Sequence, residues 1–213
     1  MSLNTYRPKI YIVFYSMYGH IYSLAKSIKE GCEKVAGVEV HLFQIQETLS
    51  EKVLSAMCAP DKPAIPTITP SDLTSADGFL FGVPTRYGHM PEQWKTFLDS
   101  TGALWAKGSL SGKFAGGFFS TASQHGGQET TVMNLFTFFA HHGIAFVPLG
   151  YRSSFQFDTS QVVGGSAYGA GTITNGDGSR APSREEHEIA VAQGYFFARV
   201  IRQYYGVQTT VEG

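Results

Sequence analysis

Residues 9–21 read KIYIVFYSMYGHI. The run from Ile10 to Tyr15 is apolar and rich in β-branched and aromatic residues, the composition and length of a strand buried on both faces. It breaks off into Ser16, Met17, Tyr18, Gly19 and His20, and a helical pattern starts at Ile21. A strand, a tight polar loop and a helix N-terminus make an anion site. The first N–H groups of a helix lack intrahelical acceptors, and the macrodipole favours negative charge there. Ser16 and Tyr18 bring hydroxyl donors, and Gly19 lets the backbone come close. The loop lacks the spaced glycines and the Lys-Ser/Thr pair of a P-loop, and it is not the G-x-G-x-x-G turn. It carries no Lys or Arg, so a bound phosphate would be held by dipoles. The same residues also fit an ordinary βα turn whose serine caps the helix.

Outward from this stretch, strands and helices alternate. Ile21, Leu24, Ala25, Ile28, Cys32 and Val35 recur at helical spacing and predict an amphipathic helix over about residues 21–36, ended by Gly37. Residues 38–44 predict a second strand. Residues 45–70, with Pro60, Pro63 and Pro66, read as an irregular surface excursion holding one short helix near residues 51–57. Thr69-Pro70-Ser71-Asp72 combines a cap, a first-turn proline and an acidic third position, so a brief helix follows. Residues 76–83 predict a third strand and residues 91–100 a helix with Trp94, Phe97 and Leu98 facing in. Residues 101–112 read as a loop carrying Trp105. Residues 113–121 predict a fourth strand, residues 128–142 a helix, and residues 144–149 a fifth strand. Residues 151–182 are glycine-rich and aperiodic. Ser183 with Glu186 forms a capping box that opens a last helix, whose buried stripe is Ile189, Ala192, Phe196 and Val200.

Five strands alternating with helices mean a parallel sheet covered on both faces, with residues 1–213 forming a single domain. Ligands in such sheets sit beyond the carboxyl ends of the strands. Three polar loops lie on that edge. They are residues 16–20, Pro84 to Met90, and Ser120 to Gly127.

Composition narrows the function. Hydrophobic content of 43% and charged content of 15% describe a globular core-former, and a net charge of −1 provides no basic field for nucleic acid. No apolar run reaches transmembrane length, and the first residues, MSLNTYRPK, lack the apolar centre of a signal peptide, so a cytoplasmic protein is expected. Cys32 and Cys58 offer neither a disulfide framework nor metal-ligand spacing, and both are expected to be reduced. Twenty-four glycines suggest functional loops, and 14% aromatics suggest stacking surfaces or a large interface.

The motifs SMYGH, PTRYG, TGALWAKG, STASQHGGQETT, AHHG, GYRSSFQFD, GGSAYGAGT and GDGSRAPS occur in that order. Together they resemble the WrbA family of flavodoxin-like NAD(P)H:quinone oxidoreductases, over about residues 9–205, and the variants point to its plant and fungal branch, to a fungal member. The resemblance implies a flavodoxin-like α/β fold and FMN as cofactor, with NADH or NADPH as co-substrate. It places the FMN phosphate on Ser16, Met17, Tyr18, Gly19, His20 and Ile21. It assigns the flavin ring to Pro84, Thr85, Arg86, Tyr87 and Gly88, and to Ser120, Thr121, Ala122, Ser123, Gln124, His125 and Gly126. Ala122 and His125 stand where relatives often carry glycine, so a positive φ at either would strain or redirect that loop. Arg86 would offset charge on the flavin, although the same residue also suits a surface salt bridge.

By the same resemblance Trp105, with Tyr18, walls the substrate site, though a tryptophan plugging the core is the other reading. His141 corresponds to a flavin-contacting histidine, and His142 is assigned to the surface. The family's homotetramer, a dimer of dimers, gives residues 151–182 a place in subunit interfaces; their glycine content alone would suggest a loose surface loop. The implied activity is two-electron reduction of quinones to hydroquinones by ping-pong hydride transfer through FMN, which protects against oxidative stress. No acid–base dyad or nucleophile is needed, because the cofactor carries the chemistry. The rival readings are a flavodoxin-type one-electron carrier, which the net charge of −1 disfavours, and a flavin-binding scaffold at the inner face of the plasma membrane.

Overall fold

A computed structural model describes residues 6–206. The leading residues 1–5, part of the stretch read for a signal peptide, lie outside the described residues. In chain order the elements are β1 (Lys9–Phe14), α1 (His20–Glu33), β2 (Glu39–Gln44), α2 (Glu51–Ala56), a 3-10 turn at Pro70–Ser75, β3 (Gly78–Pro84), α3 (Glu92–Asp99), α4 (Gly102–Ala106), β4 (Phe114–Thr121) and α5 (Gln128–His142). They continue with β5 (Ala145–Phe146), a 3-10 turn at Ser154–Phe157, β6 (Gly165–Ser166), β7 (Gly169–Ile173) and α6 (Arg184–Gly206).

The sheet runs β2-β1-β3-β4-β7-β6, with β5 also paired to β4. β1 has a neighbour on each side, and Ile12 lies level with Leu42 on one and Leu80 on the other. The chain leaves β1 toward β2 on one side and returns to β3 on the other. This reversal opens a crevice beyond the carboxyl ends of β1 and β3. Along β1 the two-residue period sends Ile10, Ile12 and Phe14 into a core with Leu24, Ile28, Phe197 and Ile201 of α1 and α6. Tyr11, Val13 and Tyr15 enter the opposite core with Trp94, Val132 and Phe139 of α3 and α5. Helices therefore cover both faces.

The parallel sheet with helices on both faces is as expected, and five details differ. The sheet has seven strands rather than five, and β6 is antiparallel to β7. The expected fifth strand shrinks to Ala145–Phe146, paired only with Phe114 and Ala115 at the start of β4. The end of β4 pairs instead with β7, at Phe119↔Gly171 and Thr121↔Ile173. Residues 151–182 thus supply a core strand and are not one open loop. The strand carries no local strand pattern because close packing demands glycine there: a Cβ on Gly169 would fall 1.9 Å from the Gly117 carbonyl oxygen. On α6 the buried stripe is Glu186, Ile189, Ala190, Gln193, Phe197 and Ile201, while Ala192, Phe196 and Val200 lie half-buried beside it. α1 and α6 meet backbone to backbone, with Cβ positions on Gly31 and Gly194 only 2.1 Å from the Val191 carbonyl and 2.0 Å from the Ile28 carbonyl. That contact turns the helix by about one residue. Finally, residues 101–112 contain α4. Among the described residues no helix is long and apolar enough to cross a membrane.

Candidate functional site

The ends of β1, β3, β4 and β7 surround a cavity of ≈ 580 Å³. Of the residues expected from the sequence, Ser16, Met17, Tyr18, His20, Ile21, Pro84, Thr85, Arg86, Tyr87, Ser120, Thr121, Ala122, Ser123 and Gly126 line it. In the first loop the Gly19 N–H donates to Ser16 Oγ at 3.1 Å. Gly19 adopts φ 89, which a side chain would strain, and so turns the chain into α1. Ser16 therefore stitches its own turn but does not cap the helix, whose N-cap is Gly19 with no side-chain cap. Yet among the described residues no acceptor takes the N–H of Met17 or Tyr18, and these donors sit at the mouth of a helix beside the cavity.

The second loop is a tight turn. Arg86 N–H donates to the His89 carbonyl at 2.7 Å and His89 N–H returns the bond at 2.9 Å. Tyr87 and Gly88 between them have φ 54 and 79, the left-handed pair of a type I′ turn. Tyr87 is 100% exposed as a result. Gly88 shapes the turn without lining the cavity. Among the described residues no carboxylate pairs with Arg86, whose Nη1 donates to its neighbour's carbonyl, Thr85 O, at 2.8 Å. The Thr85 N–H donates to Ser120 O at 2.9 Å and ties this loop to the third.

In the third loop Thr121 Oγ1 donates to Ser123 O at 2.8 Å and accepts from Gln128 Nε2 at 3.0 Å. His125 takes φ 58, the left-handed conformation, whereas Ala122 does not. Gln124 and His125 consequently face a different cavity, of ≈ 380 Å³, against Val163 to Ser166.

A fourth wall was missed from sequence. Thr174, Asn175, Gly176, Asp177 and Gly178 close the cavity after β7, and Met57 at the end of α2 completes it. His20 Nε2 donates to the Gly178 carbonyl at 3.1 Å, and the Tyr18 hydroxyl donates to the Met57 carbonyl at 3.1 Å. Hydrogen bonds from the Ser179 hydroxyl and N–H hold the Asp177 carboxyl below its usual range. The Asn-Gly-Asp-Gly run, residues 175–178, was a legible turn signal, but nothing in it announced a wall.

Trp105 and His141 lie elsewhere. They line a second cavity, of ≈ 440 Å³, with Met90, Leu98, Phe138 and His142. Trp105 is 58% exposed and plugs no core. The expected roles of the adjacent histidines are corrected in one respect: His142 is buried and His141 is exposed. The Thr101 hydroxyl donates to Leu98 O at 2.7 Å, so His142 Nε2 donates to Thr101 Oγ1 at 3.1 Å, and its Nδ1 has no partner among the described residues. Burial, then the neighbouring His141, pushes the His142 pKa down.

The NADPH-dependent FMN reductase family matches residues 15–158. An NAD(P)H quinone oxidoreductase, PST2, of Candida albicans is 50% identical over 198 residues, covering 93% of this chain and 98% of its own length. The quinone-oxidoreductase QR2 of Triphysaria versicolor is 50% identical over 196 residues, covering 92% of this chain and 96% of its own. Among solved structures, a flavodoxin, WrbA-like protein from Agrobacterium tumefaciens superposes with a TM-score of 0.63 at 26% identity, covering 92% of this chain and 98% of that one. The chain belongs to the NADPH-dependent FMN reductase family and, within it, to the WrbA-like, flavodoxin-fold NAD(P)H:quinone oxidoreductases.

Proposed function

We infer that this chain, as one flavodoxin-like domain, is an FMN-dependent NAD(P)H:quinone oxidoreductase and that the ≈ 580 Å³ cavity holds the FMN. The observation that carries this is the pair of unclaimed N–H groups, Met17 and Tyr18, at the mouth of α1 where the other strand-end loops converge. These residues fit a phosphate ester. Ser16 Oγ accepts from Gly19 and keeps its own hydrogen to donate, the two N–H groups have no acceptor among the described residues, and α1 adds its dipole. The walls suit a flat ring, since Pro84, Thr85, Ser120 and Ala122 are short and the Tyr87 ring stands off in solvent. Arg86, without a carboxylate partner among the described residues, offsets negative charge on the flavin. When bound, FMN supplies hydride acceptance from NAD(P)H and hydride donation to a quinone. The protein's part is to orient the ring, leave one face open for the two planar substrates in turn, and stabilise charge.

Trp105 and His141 do not reach this cavity in their own subunit, which favours completion across subunits. In a homotetramer built as a dimer of dimers, these two residues would face a neighbour's cavity. The exposed Tyr151 and Phe157, whose rings pair at 5.4 Å, would be covered at the same time. On this reading the enzyme works in the cytoplasm or at its boundary with the plasma membrane. The test is a spectrum of the purified protein with acid release of its flavin, followed by NADPH or NADH oxidation with benzoquinone. FMN together with quinone-dependent oxidation is the expected result. A protein that cannot be loaded with FMN, or one that holds FMN without turnover, would refute the assignment. Light scattering tests the tetramer, and an active monomer would overturn it.

A further inference from the structure

The phosphate loop contains no cation of its own, but one stands directly behind it. Lys62, from the proline-containing excursion after α2, donates from Nζ to the Ser16 carbonyl at 2.9 Å. The same ammonium pairs with Glu47 Oε2 at 2.9 Å and lies 4.6 Å from the centre of the Tyr15 ring. Glu47 is itself fully engaged. Its carboxylate accepts from the Tyr15 hydroxyl at 2.9 Å, from Gln93 Nε2 at 3.0 Å, and from the N–H groups of Thr48 and Leu49 at 3.0 and 3.1 Å. Burial works against the Glu47 charge, but bonds from Lys62, Leu49 and Tyr15 outweigh it and hold the carboxyl below its usual range. None of Tyr15, Glu47, Lys62 and Gln93 lines the cavity. The ammonium therefore stands outside the cavity's lining.

A trans peptide is planar, with its C=O and N–H pointing in opposite directions. The Ser16 carbonyl accepts from Lys62, so the N–H of the same peptide, that of Met17, points away from Lys62, and Met17 lines the cavity. A charge-assisted bond on the carbonyl also polarises the amide and strengthens its N–H as a donor. We propose that Lys62, held by Glu47, is the positioning residue of the phosphate loop: it fixes the Ser16–Met17 peptide so that the Met17 N–H meets the phosphate of FMN. This rests on the cavity being the FMN site.

The prediction separates FMN from riboflavin, which has the same ring and ribityl chain but no phosphate. Flavin-free full-length protein is titrated with each by fluorescence quenching, for the wild type, Lys62→Met and Lys62→Arg. The wild type should prefer FMN. Lys62→Met should lose about tenfold or more in FMN affinity, with riboflavin affinity unchanged within about twofold, since a charge-assisted bond has been removed on the phosphate side alone. Lys62→Arg should recover most of the FMN affinity, because it keeps the charge and the donors. FMN binding by Lys62→Met at wild-type strength would overturn the proposal. So would equal weakening of both ligands, which marks a merely structural residue. A wild type that does not distinguish the two flavins would overturn the phosphate-loop reading itself, and Lys62 with it.

Discussion

Glu186→Gln should be among the most damaging isosteric changes available in this chain. Glu186 is fully buried at the start of α6. Its Oε1 accepts from the Gly164 and Ile173 N–H groups at 2.9 and 3.3 Å, and its Oε2 from the Thr172 hydroxyl and the Ser183 N–H at 2.7 and 2.8 Å. Arg180 Nη1 reaches both oxygens, at 3.0 and 2.9 Å, and the same guanidinium also donates to the carbonyls of Ile173 and Val162. One carboxylate thus joins the run into β6, the end of β7, the wall of residues 174–178 and the N-terminus of α6. Glutamine offers one acceptor oxygen. Whichever way its amide is turned, its NH₂ group faces two N–H or O–H donors and the Arg180 cation. Hydrogen bonds to a charged group contribute about 1.5–3 kcal/mol each, and breaking one half of a buried ion pair costs about 3–5 kcal/mol. The two are not additive, so the expected loss is about 3–5 kcal/mol. For a chain of this length that is a fall in Tm of roughly 6–20 °C. Urea unfolding followed by fluorescence of Trp94 and Trp105 measures it, with the exposed Glu188→Gln as a control expected within about 0.5 kcal/mol of wild type. A loss below about 1 kcal/mol for Glu186→Gln would refute the reasoning, because it would mean that the cluster re-forms around a neutral group.

Other changes probe the remaining parts. Gly194→Ala places a Cβ 2.0 Å from the Ile28 carbonyl; despite the better helix propensity of alanine, it should destabilise by about 1–3 kcal/mol, read as a lower urea midpoint. The folded-state pKa of His142 lies below its unfolded value near 6.5, so its contribution is fully present above about pH 6.5 and is lost as pH falls toward the folded value, where the unfolded chain binds more protons. In His142→Phe the fall of stability with decreasing pH below about 6.5 should flatten, and an unchanged slope would remove His142 as its source. If the loop of residues 16–20 holds the FMN phosphate as proposed, Ser16→Glu sets a carboxylate against it and should copurify without FMN; a full complement of flavin would sink the loop assignment. If subunit assembly brings His141 to a neighbour's flavin, His141→Ala should lower the two-electron midpoint potential by roughly 30–65 mV, and equal potentials would leave it a helix-end residue.

What was legible in the sequence was what neighbouring residues dictate. The buried run before Ser16, the stripe Ile21, Leu24, Ile28 and Cys32, the capped turn at Thr69 to Asp72 and the Ser183/Glu186 box all depend on local spacing, and each appears where it was read. The three strand-end loops followed from the alternation of strands and helices, because in a parallel sheet every strand-to-helix loop leaves from the same, carboxyl edge. Tertiary structure decided the rest. β7 is a strand of Gly169, Ala170, Gly171, Thr172 and Ile173 whose glycines are required by the Gly117 carbonyl and the Gln128 side chain above them, contacts that no local preference encodes. Which of two adjacent histidines is buried was set by the seat of α5 against Thr101, whose hydroxyl takes the His142 ring. The buried side of α6 was set by the backbone contact at Gly31 and Gly194. Lys62 and Glu47 stand 46 and 32 residues from the atoms they hold at Ser16 and at Tyr15. A charge recruited across such distances leaves no spacing to read, because only the folded chain brings its partner within reach.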